Sequence, residues 1–369
     1  MQERKVEYVE LIYDLIFVYL VSRNVSLLQH VTDGFVTPLN YFSYVASTMV
    51  ALQIWYISFL YINHYGDGSP REHLMMFVNM YLLYYMAEGI RTDWGPVYVR
   101  YHVTWALIIL NLALHFYLAA RTYNEEDEEL RRHRYRYAIH LVIEAGMILI
   151  SIPIYAYTGL ALSPWALVFG LVVMILYSDA EKRMLVDFPH MAERVMLYII
   201  FTFGEMVLGI TGYFDDGFSP AAIYFSLMAF AIVVGLFSAY EYYYNHLMDP
   251  ETKTSGFKYM MIHIAMVFAL NNVTAAMKFM QRRRVDVMPK TLFMAVSILA
   301  FFICLLATQE YSKYNKGGGF HYYTRFAFAS VIFVGLMLAM SNIPFVSIAL
   351  TVAFIYLQLC DMYFGKKET

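Results

Sequence analysis

Acidic side chains at membrane depth are the groups most able to do chemistry in this chain. In "VEYVELIYDLIFVYLV" (6–21), Glu7, Glu10 and Asp14 interrupt an apolar run about long enough to cross a bilayer. Their spacing, i, i+3, i+7, places all three on one face of a helix that turns about 100° per residue. A charge at the bilayer centre costs about 3 kcal/mol or more, so this stripe must face a cavity, a cation or another polar helix. Two readings stay open: a buried ion pair that staples helices together, or a site that touches a permeant or bound species. Glu7 also fits a place at the membrane interface.

A second constellation lies in "HMAERVMLYIIFTFGEMVLGITG" (190–212), with His190, Glu193, Arg194 and Glu205. Arg194 and Glu205 are about three turns apart and share a helix face, cationic at one end and anionic at the middle. Gly204, Gly209 and Gly212 permit close helix approach. Protonation of such intramembrane carboxylates would switch a site between charged and neutral. Other polar residues carry less. His140 and Glu144 stand at i, i+4, a spacing for a proton relay or a metal pair and equally for an interhelical hydrogen bond. Glu88 and Arg91 can pair at the outer surface. His115 and His263 read as polar links between helices.

The elements that must position these groups are membrane spans. Of 369 residues, 60% are hydrophobic and only 15% charged, well below the one-quarter of a typical soluble domain, and mean hydropathy is +0.51. Twelve apolar stretches are expected to span: 7–29, 38–63, 72–91, 101–121, 136–158, 161–178, 192–213, 220–246, 256–279, 289–310, 321–341 and 343–363. Each must be helical, since lipid offers the backbone no hydrogen-bond partner. The charged segment "RTYNEEDEELRRHRYRY" is expected to extend a helix out of the membrane, and "DAEKRMLVDFPHMAER" to lie along the surface. Lys and Arg concentrate on the side that would hold both termini, which places the termini in the cytoplasm. Lys278, Arg282, Arg283, Arg284 and Lys290 break that rule, through a misplaced boundary or a functional anion patch. No cleavable signal peptide is expected, because Glu7, Glu10 and Asp14 would fall inside its apolar region.

The chain also looks duplicated. "YDLIFV" (13–18) is similar to "GEMVLG" (204–209), "NHYGD" (63–67) to "NHLMD" (245–249), and "SIP" (151–153) to "NIP" (342–344), in the same order. The expected fold is therefore all-α and polytopic, with about twelve transmembrane helices as two parallel six-helix repeats: 1–178, a cytoplasmic linker 179–191, and 192–369. No nucleotide-binding loop, hydrolase or zinc motif is present, so neither an enzyme, a metal site nor a cofactor is expected. Cys304 and Cys360 lie in apolar segments and form no framework. No nucleic-acid module is visible.

"VELIYDLIFVYLVS" (9–22) resembles the opening E-L-x-x-D-L-x-F-V signature of bacterial low-temperature-requirement A proteins. "HMAERVMLYIIFTFGEMVLG" resembles that family's H-x-x-E-R followed by a G-E pair in the seventh span. The similarity covers nearly the whole chain and falls on Glu10, Asp14, His190, Glu193, Arg194 and Glu205. Ala192 stands where the family usually has Pro, which puts the start of the seventh helix in question. The resemblance implies a multi-pass protein of the bacterial plasma membrane linked to growth in the cold, and names no molecular activity.

From the residues, the leading expectation is a secondary transporter, proton- or cation-coupled. Asp14 and Glu205, one from each half, would bind the proton or small ion, assisted by Glu10, with Arg194 holding its neighbours' charge state. An ion channel lined by the first and seventh helices is the alternative, as is a non-transporting lipid-binding or lipid-handling protein. Membrane lipid and protons or a small solute are the expected partners, and a homodimer is compatible with each reading.

Overall fold

The computed structural model describes residues 6–122, 128–181, 186–215, 217–282, 284–313 and 320–364. Among them are twelve α-helices: α1 (Tyr8–Val25), α2 (Pro38–Tyr65), α3 (Pro70–Ala87), α4 (Tyr98–Thr122), α5 (Glu128–Thr158), α6 (Ser163–Glu181), α7 (Phe188–Ile210), α8 (Pro220–Tyr242), α9 (Phe257–Gln281), α10 (Val287–Ala307), α11 (Phe320–Ala339) and α12 (Pro344–Phe364). Nine are long and apolar enough to cross a membrane, while α6 and α11 carry shorter apolar stretches. The remaining helix, α3, is too polar to qualify: Arg71, Glu72, His73 and Asn79 dilute it.

Local chemistry sets where several helices begin. Ser69 and Ser219 cap α3 and α8, accepting hydrogen bonds from Glu72 N and Ala222 N, and each is followed by a proline in the first helical turn. α2 and α12 also open on proline. Pro153, in contrast, lies inside α5. The "SIP" tripeptide thus lies inside α5, whereas "NIP" ends on the first residue of α12.

The chain forms two compact units. The first comprises Met1–His30, Pro38–Arg194 and Lys253–Lys258. In it α1 packs on α2 and α3, α2 on α4 and α6, α4 on α3 and α5, and α5 on α6. α2 is the most enclosed span, with 83% of its apolar window buried, so its polar side chains must find partners inside the protein. The charged run before the membrane part of α5 is helical from Glu128 onward; residues 123–127 and 182–185 of the two charged connections lie outside the described residues.

The second unit comprises Val31–Thr37, Val195–Thr252 and Tyr259–Thr369. α8 packs on α12, and α10, α11 and α12 pack on one another. Its first piece is a hairpin, Val31–Thr32 paired with Phe35–Val36. The Asp33-Gly34 turn has φ of 51° and 83°, the pattern a two-residue hairpin requires. The hairpin rests on the start of α10, where Asp286 N donates to Gly34 O at 2.7 Å.

Two of the cations singled out in the sequence, Lys290 and Lys278, lie in this unit. Lys290 is buried and donates to Arg282 O at 3.2 Å, at the end of α9. Lys278 is half-buried on α9, beside Gly209 of α7. Arg283 lies outside the described residues.

In both units large apolar side chains point outward: Ile139, Ile150 and Leu176 in the first, Phe328 and Val331 in the second. In a bilayer that surface faces lipid, where apolar exposure carries no cost.

Candidate functional site

Asp187 prepares the site by starting α7. Its Oδ1 accepts a hydrogen bond from His190 N, and Pro189 follows in the first turn. The helix is therefore under way before Ala192, and the missing proline at that position does not delay it. Four residues per step then stack His190 and Arg194 on one face, just as Glu10 and Asp14 stack on α1. The two faces meet in register: both cross-links span 180 positions, Glu10 to His190 and Asp14 to Arg194.

Arg194 and Asp14 are fully buried. Arg194 Nη2 donates to Asp14 Oδ1 at 2.7 Å and Nε to Oδ2 at 3.1 Å, the two-pronged geometry of a charged pair. Trp55 Nε1 adds a third donor to Asp14 Oδ1 at 2.9 Å. The Arg194 guanidinium carbon sits 4.8 Å from the centre of the Phe59 ring, whose π face takes up part of its charge.

One turn away, Glu10 Oε2 lies 3.2 Å from His190 Nε2 and 3.6 Å from Arg194 Nε. The other ring nitrogen, His190 Nδ1, faces the Asn63 amide nitrogen at 3.4 Å, and that same amide donates to Asp187 O. An amide N–H can only donate, so Nδ1 accepts and the ring proton sits on Nε2, directed at Glu10. This assignment follows from the hydrogen-bond network. Asn63 Oδ1 is buried with no hydrogen-bond partner among the described residues.

A second polar chain begins at the residue next to Asp14. Tyr13 Oη shares a hydrogen bond with Ser58 Oγ at 2.9 Å and accepts one from Asn79 Nδ2 at 3.2 Å. Asn111 Nδ2 donates to Asn79 Oδ1 at 2.9 Å. Four helices, α1 to α4, are thereby tied around the acidic pair.

The expected site residues divide. Glu10, Asp14, His190 and Arg194 form one cluster. Glu7 turns elsewhere: its Oε2 lies 3.0 Å from His73 Nε2, on α3. Glu193 is half-buried and has no hydrogen bond or ion pair among the described residues. Glu205 belongs to the second unit, where Lys278 is an electrostatic partner. Three weaker candidates also find different partners. Glu144 is buried and accepts from Gln53 Nε2 at 2.9 Å, while His140 bonds to Arg136 O and Tyr177. Glu88 meets Tyr19 and Arg23. Among the described residues no group of three or more His, Cys, Asp or Glu side chains could hold a metal ion.

No motif or spacing in the sequence marks Trp55, Ser58, Asn63 and Asn79 as parts of the cluster. The available signal was weak: isolated polar groups inside apolar spans, which in lipid must find a partner.

With His190 neutral, the cluster carries one cation and two anions. One added proton makes it neutral. Low dielectric magnifies an uncompensated charge, so the net charge of such a cluster weighs more inside a membrane than in water.

A family model described as "Bacterial low temperature requirement A protein (LtrA)" matches residues 5–359. No curated protein and no solved structure matches the chain.

Proposed function

This chain belongs to the bacterial low temperature requirement A protein family, and we propose that it is a proton-coupled secondary transporter of the plasma membrane, with His190 as its proton-carrying group. The observation that supports this most is the charge count of the buried cluster: Arg194 against Asp14 and Glu10, with His190 positioned between Glu10 and Asn63.

In this reading Asp14 and Arg194 are the fixed link between α1 and α7, since both carboxylate oxygens are already held. A proton arrives from water at His190 Nδ1. Asn63 then rotates its amide, so that the unpartnered Oδ1 accepts the new N–H, and Glu10 balances the imidazolium. Loss of the same proton reverses these steps and leaves a net negative site, which would attract a small cation. Both states satisfy the ring nitrogens, so the cluster can alternate between them. Glu205 with Lys278 forms a separate polar pair whose part in transport is a further proposal, as are the two-repeat architecture and the cytoplasmic termini.

The test is proton movement into proteoliposomes that enclose a pH-sensitive dye. Wild-type protein should carry protons down an imposed gradient, and H190Q and E10Q should lose that flux while remaining folded and inserted. Wild-type flux in H190Q would remove the mechanism.

A further inference from the structure

Glu144 takes no part in the cluster around His190. It stands near the midpoint of the α5 span, and its partner Gln53 near the midpoint of the α2 span. Both residues are 1% exposed. One hydrogen bond reaches the carboxyl, from Gln53 Nε2 to Glu144 Oε1 at 2.9 Å. Asp14 offers the contrast: it too is buried, and Arg194 balances its charge. Glu144 has no such cation among the described residues. On its own helix His140, one turn away, bonds to Arg136 O and Tyr177. Between His102 and His115, α4 contains no titratable residue, nor does α6 between Ser163 and Tyr177. Of the described side chains on α2, Gln53 alone bears on the carboxyl.

An ionised carboxylate buried at membrane depth with one neutral donor is costly, and such a group sheds the cost by taking up a proton. The amide beside it carries the complementary signal: Gln53 Oε1 is buried with no hydrogen-bond partner among the described residues. A protonated carboxyl has one O–H to donate. Donated to Gln53 Oε1, it pairs acid and amide through two hydrogen bonds, in which each group both donates and accepts. Space favours a proton over a larger ion. A metal cation takes several oxygen ligands and needs room of its own. Here α6 closes over the pair at Gly170, where even a Cβ would lie 1.9 Å from Gln53 Nε2 and 2.6 Å from both carboxylate oxygens.

We propose that Glu144 is a proton-binding site, holding its proton as a neutral acid against Gln53 and so keeping α2, α5 and α6 packed at mid-membrane. Loss of the proton leaves an unbalanced charge and an unpartnered amide oxygen beside Gly170, which loosens that contact. None of these groups belongs to the Glu10–His190 cluster, and the site stands independently of the transport reading.

The experiment compares infrared spectra of the full chain, reconstituted in lipid at neutral pH, for wild type, E144Q and Q53L. The wild-type minus E144Q difference should contain the carbonyl stretch of a protonated carboxylic acid. Q53L leaves the carboxyl in place and removes its amide donor, so it should keep that band and shift it. Melting in detergent gives an independent reading. Holding a proton costs more as pH rises, so the wild-type melting temperature should fall relative to E144Q from mildly acidic to neutral buffer. Carboxylate bands in place of the acid band, an acid band unmoved in Q53L, or a melting difference that is constant with pH would each overturn the proposal.

Discussion

Arg194 grips both carboxylate oxygens of Asp14 across 180 positions of sequence, at 2.7 and 3.1 Å, with both side chains fully buried. Removing one partner of such a pair leaves an uncompensated buried charge, at a cost of about 3–5 kcal/mol. D14N and R194Q should each lower thermal stability in detergent strongly. R194K should fail to rescue, because an ammonium cannot reproduce the two-pronged contact. The double variant D14N/R194Q removes both charges and should lose less than the two single effects combined. Additive losses in that cycle would mean that the pair is not a coupled unit.

In the proposed cycle Asn63 is the residue whose side chain moves when His190 gains a proton. N63L keeps the branching of the side chain but offers no acceptor to the Nδ1 proton. The loss of one hydrogen bond of about 1.4 kcal/mol corresponds to about tenfold, and proton flux in N63L proteoliposomes should fall by that order. N63D, which retains an acceptor, should keep more of the flux than N63L.

Much of this arrangement was legible beforehand and part of it was not. The helices follow from apolar runs bounded by Ser-Pro and other turn signals, and the i, i+4 faces of Glu10/Asp14 and His190/Arg194 follow from helical geometry. Spacing identifies a face and not its neighbour. For that reason the spacing does not reveal that the side chain that meets Asp14 is Arg194. Glu7 shares the stripe with Glu10 and still turns to His73, because it stands at the helix end where the neighbour is α3. Trp55 and Asn63 sit in a span too apolar to mark them. The hairpin at 31–36 escaped because its strands are two residues each, too short for alternation to register.

Gly170 of α6 is a place where a single methyl group should matter. A Cβ there would lie 1.9 Å from Gln53 Nε2 and 2.6 Å from the Glu144 carboxylate. G170A must push these buried groups apart and break their 2.9 Å hydrogen bond. Overpacking of this kind costs about 1–3 kcal/mol, and the melting temperature should fall accordingly. A second change, E144A, opens space and should recover part of the loss in G170A. No effect of G170A on melting would contradict the packing described.

The turn between α2 and α3 lies outside the spans and should respond to acid. Partial burial works against the Asp67 carboxylate, yet hydrogen bonds from Ser69 and the nearby Arg71 prevail and hold Asp67 below the usual carboxylate range. A lowered folded-state value stabilises the turn above the unfolded value of about 3.9, and that stability is lost as pH falls through the folded value. After correction for the intrinsic pH dependence of exchange, the Ser69 amide, which donates to Asp67 Oδ1 at 3.0 Å, should therefore stay protected at neutral pH and lose that protection only in strong acid. D67N should remove this acid dependence, and an unchanged exchange profile in D67N would assign it to another group.

The central claim, that the buried cluster exchanges its proton at His190, is tested most directly by infrared difference spectroscopy of the reconstituted protein between acidic and alkaline buffer. Imidazole ring bands should change between the two conditions, and the part of that change that belongs to one of the chain's 11 histidines should be missing in H190Q and altered in E10Q. Ring bands that are the same in acid and alkali, or that persist unchanged in H190Q, would contradict the account.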